Sequence, residues 1–201
     1  THFYTCKCMP VGASSGFNLY SPTIHRALTK EEIKQTVKDF GYAVDFCREC
    51  GFDCIEIHAG HGYLISQFLS PYTNRRKDEY GGSLDNRMRF MREVLTEVME
   101  HAGDDMAIVV KTNMYDGFKS GLQIDDCITI AKEIENEYRS EVRRNLKHPG
   151  ISRGWAEGSI HIEKISESTI RIGSDHPHLF WFEEGNGQQY SYFGGKRNPL
   201  A

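Results

Sequence analysis

Residues 58–64 read HAGHGYL, with two imidazoles three residues apart and a phenol two residues beyond the second. Two imidazoles on one short loop can both donate hydrogen bonds to a single carbonyl or phenolate oxygen. A phenol beside them can give up a proton, because neighbouring cationic donors stabilise its ionised form. His58, His61 and Tyr63 are therefore candidate substrate-binding and catalytic groups. Two other readings stay open from the residues alone. The histidines could be satisfied structural groups at the polar end of a strand, or they could ligate a metal. A zinc site needs further ligands, and Asp116 is the nearest formal candidate. Lys111, at the end of the apolar run MAIVVKTN, adds an ammonium that can stabilise negative charge nearby.

These groups need elements to position them. FDCIEIHA reads as a short buried strand ending at His58, and MAIVVKTN as a second strand ending at Lys111. From Thr29, TKEEIKQTVKDFGYAVDFCRECG has Ile33, Val37, Phe40, Val44 and Cys47 at helical spacing. Thr29 and Glu32 form a capping-box pair, and Gly51 supplies the left-handed stop. Ser83 opens a second helix that turns Leu84, Met88, Met91, Leu95 and Val98 inward, with Arg87, Arg92, Glu93 and Glu97 outward. A third helix starts near Ile124. Gly60 and Gly62 open a loop after the first strand, continued by SPYTNRRKDEYGGS, in which Arg75, Arg76, Asp78 and Tyr80 are expected to make ordering contacts. Helices alternating with apolar strands indicate an α/β architecture with a parallel sheet, whose chemistry collects at the carboxyl ends of the strands. His58, His61, Tyr63 and Lys111 all fall at such ends.

Composition is that of an ordinary globular chain. Of 201 residues 39% are hydrophobic and 26% charged, and the formal net charge is -4. That balance gives no electrostatic reason to expect nucleic acid or an anionic membrane as partner, so a small-molecule substrate is the expectation. Six cysteines without a leader-like start suggest a reducing, cytoplasmic setting. Cys47, Cys50 and Cys54 are expected to be buried structural thiols.

The stretch GFDCIEIHAGHGYLISQFLSPYTNRRKDEYGGSLDNRMRFMREV closely resembles the signature of the old yellow enzyme family. These are FMN-dependent NAD(P)H:flavin oxidoreductases, 2,4-dienoyl-CoA reductases among them. HxxHGYL, QFLSP, TNRR, DEYGGS and NRxRF occur in unbroken order, and with ALTKEEI before and VVKTNMYDGFKSGL after, the likeness covers about residues 27–136. The resemblance implies a TIM (β/α)8 barrel with FMN across the carboxyl ends of its strands and NADH or NADPH as reductant. It implies that His58 and His61 hold the carbonyl oxygen of an α,β-unsaturated substrate while hydride from reduced flavin reaches the β-carbon. In many relatives the second of the pair is asparagine. Tyr63 matches the acid that protonates the α-carbon, and Lys111 stands against the N1/O2 edge of the flavin ring.

A whole barrel takes about 250 residues and eight strands. The expectation is therefore a partial, truncated barrel over residues 1–137 and a divergent tail over 138–201. In that tail Ile160, Ile162, Ile170 and Ile172 alternate with polar residues as in a hairpin. Uncovered sheet edges would invite self-association. The alternative reading is an inactive fragment or interaction protein that has lost FMN binding.

Overall fold

The computed structural model describes residues 9–18, 23–103, 106–145, 160–166, 169–174 and 182–183. CKC at residues 6–8 and the weak phosphate-loop candidate YFGGKRN at 192–198 lie outside the described residues.

A small sheet comes first. β1 (Val11–Gly12) pairs parallel with β3 (Thr23–Ala27), and β2 (Gly16–Asn18) pairs antiparallel on the other edge of β3. Helix α1 (Lys30–Glu49) follows with the expected capping box: Thr29 Oγ1 accepts from Glu32 N–H at 3.2 Å, and Glu32 Oε2 accepts from Thr29 N–H at 2.9 Å. The Arg26 guanidinium and then the Thr29 N–H hold the Glu32 carboxyl down at about 2. The helix ends at Cys50, and Gly51 has a φ of 81°. After β4 (Cys54–Ala59) comes α2 (Leu64–Leu69), a six-residue helix where the sequence reading expected loop. Too short to show a helical period, α2 forms because Ile65, Phe68 and Leu69 bury against the core. Helix α3 (Leu84–Ala102) is capped by Ser83, whose hydroxyl accepts from Asn86 N–H at 3.2 Å. β5 (Ala107–Thr112) and α4 (Ile124–Asn145) complete the unit, α4 running on through Glu137. β6 (Ile160–Ser166) and β7 (Thr169–Ser174) form an antiparallel hairpin, with β8 (Phe182–Glu183) beside β7.

β4 and β5 are the parallel pair that the sequence predicts, in the register Ile57 to Val110, His58 to Lys111 and Ala59 to Thr112. Alternate residues take opposite faces. Ile57, Ala59, Ile108, Val110 and Thr112 are buried on one face, among a core that includes Phe68, Phe90, Met91, Leu95 and Ile130. His58 and Lys111 lie on the other. Helix α3 packs between α1 and α4, with the Phe68 and Phe90 rings 4.4 Å apart centroid to centroid.

Two expectations are corrected here. Arg87 does not face solvent. It is 6% exposed, and its guanidinium donates to the Leu69 carbonyl at the end of α2. Position 87 is one turn from Leu84 and Met91 on the buried stripe, and α2, which the sequence reading lacked, supplies the acceptor. Arg92, Glu93 and Glu97 are half-buried rather than outward-facing. The three clustered cysteines are not buried either. Cys47 and Cys54 are half-buried and Cys50 is exposed, whereas Cys127 on α4 is the buried thiol among the described residues.

Candidate functional site

β4 delivers His58 to its carboxyl end, and β5 sets Lys111 directly opposite on the same face. The chain then turns sharply. Gly60 passes so close to Asn113 that a Cβ there would lie 2.8 Å from Asn113 Oδ1. His61 and Gly62 both take positive φ, 54° and 74°. This turn folds the loop back over the strand end, bringing the His61 ring to 5.0 Å from His58 and the Tyr63 ring to 4.8 Å from His58, centroid to centroid. Tyr63 is the N-cap of α2 and is 61% exposed.

The charged form of His58 is disfavoured. Burial is the main cause of its lowered pKa, and positive charge at His61 and Lys111 adds to it, while Glu56 and the Lys111 backbone oppose it in part. His58 Nδ1 is left buried with no partner among the described residues.

The structure thus brings together His58, His61 and Tyr63, with Lys111 beside His58 on the same strand face. Asp116, the formal metal-ligand candidate, serves another purpose. Its Oδ2 accepts from Ser70 Oγ at 2.6 Å and Leu122 N–H at 2.8 Å, and its Oδ1 from Asn113 Nδ2 at 3.3 Å. Among the described residues no group of three or more His, Cys, Asp or Glu side chains gathers as a metal would need. The ordering role of the following loop is plain. Arg76 pairs with Asp78 at 2.7 Å and donates to the Ala13 and Leu28 carbonyls, while Tyr80 O–H donates to Glu93. Arg75 donates to the Ser15 carbonyl at 2.6 Å.

Sequence reasoning missed Asn113. Its Oδ1 accepts the His61 backbone N–H at 2.9 Å across 52 residues of chain. The available signal was an amide one residue past the strand that carries Lys111.

A profile of the NADH:flavin oxidoreductase / NADH oxidase family matches residues 4–179, a wider span than the motifs alone mark. An NADPH dehydrogenase of Listeria welshimeri is 50% identical over 105 residues, which are 52% of this chain and 30% of that protein. Among solved structures, a 2-naphthoyl-CoA reductase in complex with 2-naphthoyl-CoA superposes with a TM-score of 0.61 at 35% identity, over 64% of this chain and 20% of that one. An old yellow enzyme homologue from Zymomonas mobilis superposes with a TM-score of 0.58 at 28% identity, over 66% of this chain and 40% of that one. The matched stretch spans about a third of the length of the curated relative.

Proposed function

This chain belongs to the NADH:flavin oxidoreductase / NADH oxidase family, and from that premise we propose that residues 58–63 and Lys111 are the active-site portion of an FMN-dependent NAD(P)H oxidoreductase that reduces the C=C bond of an α,β-unsaturated carbonyl compound. The observation that carries this reading is the convergence of three polar rings within 5.0 Å at a strand end, beside a lysine on the same face. In this reading the parallel β4–β5 pair and its helices are βα units of a partial (β/α)8 barrel.

The residues fit a flavin. Lys111, opposite His58 on the same strand face, offers a cation that would stabilise the negative charge gathered on a reduced flavin ring. FMN, when bound, would supply the hydride equivalents drawn from NADPH or NADH. The protein supplies the rest. His58, whose charged form burial disfavours, and His61 donate to the substrate carbonyl oxygen and draw electron density toward it, which makes the β-carbon electrophilic. Tyr63, exposed and 4.8 Å from His58 centroid to centroid, delivers the proton to the α-carbon.

The test is a visible spectrum of the full chain after incubation with excess FMN and desalting, then NADPH-dependent loss of 2-cyclohexenone. Retained flavin near one per chain with enone reduction is the expected outcome. Tyr63→Phe should retain flavin, change stability by less than about 0.5 kcal/mol, and slow turnover on the order of 10²-fold. Loss of all flavin on desalting would overturn the cofactor assignment and leave the inactive-fragment reading in its place.

A further inference from the structure

His61 sits in a backbone conformation that a residue with a Cβ adopts only when its surroundings compensate. Its φ is 54°, a left-handed geometry in which an L-residue's Cβ crowds the following carbonyl oxygen. The described contacts show the compensation. In this conformation the His61 N–H meets Asn113 Oδ1 at 2.9 Å, and the missing side chain of Gly60 leaves room for that approach. The other end of the amide is spoken for as well: Nδ2 donates to Asp116 Oδ1. Asp116 in turn is fixed by the buried Ser70 hydroxyl and by Leu122 N–H, and the Arg87 guanidinium on α3 adds favourable charge. Tyr63 caps the start of α2 and Ser70 its end. The hook from Asn113 through Asp116 therefore ties the loop beyond β5 to both ends of the short helix that follows His61.

We infer that Asn113 is a positioning residue for the two-imidazole site: it holds His61 in its left-handed turn and so sets the spacing of the His61 ring from His58, with Asp116 and Ser70 orienting its amide. The arrangement requires an amide at 113. One end must accept from a backbone N–H while the other donates to a carboxylate; a carboxylate cannot donate, an alkyl group does neither, and a hydroxyl has only one atom where the amide uses two. Asn113→Asp would still accept from His61 but would face Asp116 charge to charge. The polarity can be inverted, however. In the exchange variant N113D/D116N, the carboxylate at 113 accepts from His61 N–H and from the amide NH2 at 116, while the amide oxygen at 116 accepts from Ser70 and Leu122. The consequence for substrate rests on the reading of the preceding section.

Two measurements on the full chain separate the inference from that reading. The first uses no ligand. In protein labelled with ¹⁵N-histidine, Asn113→Ala and Asn113→Asp should shift the His61 amide and His61 ring resonances, and N113D/D116N should return them toward wild type. Unmoved His61 signals in Asn113→Ala, or a shift of equal size in the exchange variant, would overturn the inference. Far-UV circular dichroism confirms that each variant is folded, and the exchange variant carries the test if Asn113→Ala is not. The second measurement is 2-cyclohexenone affinity in FMN-saturated protein by calorimetry. Asn113→Ala should weaken it about 5- to 10-fold, and should add nothing in a His61→Ala background. Additive losses would mean that Asn113 acts on general loop stability and not through His61. If the enone does not bind wild type, the proposed function fails while the resonance test still decides the role of Asn113.

Discussion

The connection between β4 and α3 has two halves that treat their polar groups in opposite ways. In residues 70–83 the polar side chains are largely spent on the protein itself. Asn74, buried, donates to the Phe68 and Tyr80 carbonyls, both at 2.7 Å, and Arg76 spans Asp78, Ala13 and Leu28. In residues 58–63 the opposite holds: His58 keeps a buried nitrogen unpartnered among the described residues, His61 occupies a costly backbone region, and Tyr63 is largely exposed. Both halves are rich in residue types that could do chemistry. The difference teaches that Arg76, Asp78 and Tyr80 are structural because their side chains are bound to the protein itself, while His58 keeps one ring nitrogen without a partner among the described residues.

That contrast breaks most readily at Arg76. Its side chain is 9% exposed and Asp78 23%, so Arg76→Ala strands a carboxylate and two carbonyls. It should cost about 3 kcal/mol, read as a lower urea midpoint at unchanged slope. A loss below about 0.5 kcal/mol would show that this half is no better tied than the other. The next effect is smaller and concerns the strained half. His61→Asn should be more stable than His61→Ala by roughly 1 kcal/mol, because asparagine tolerates left-handed backbone better than alanine does; equal melting temperatures would remove the strain argument.

The gentlest probe is acid, which separates the halves by pH. His58 has a folded pKa below its unfolded value of about 6.5, with burial the main cause. Its contribution is present above that value and is lost as pH falls from there toward the folded pKa. Asp78 is also lowered, by Arg76 first, so its contribution is lost only as pH falls below about 4. Stability measured against pH should therefore decline in two stages, and His58→Gln should abolish the upper stage alone. A curve unchanged by that substitution would show that His58 carries no burial penalty.

Much of this was legible before any coordinates. Thr29, Glu32 and Gly51 are local signals acting over one helical turn, and each performs the role its type and spacing predict. The facing of His58 and Lys111 follows from two apolar strands running parallel. What escaped was non-local. α2 is too short to announce itself by period, and with it the acceptor that draws Arg87 inward was invisible. The β1–β3–β2 sheet is built from strands of two to five residues, and the turn between β1 and β2 is held to the loop at 75 and 76 from about sixty residues away.

Sequence by itself determined both ends of α1, the start of α3, the parallel strand pair and the identity of the polar groups at its carboxyl end, because caps, periodicity and alternation act between near neighbours in the chain. Only the tertiary structure decided which partners those polar groups meet. That depends on long-range partners: Asn113 for His61, Asp116 for Ser70, and Ala13 and Leu28 for Arg76. A hydrogen bond across 52 residues leaves no local pattern, since its geometry exists only once the strands and helices have packed.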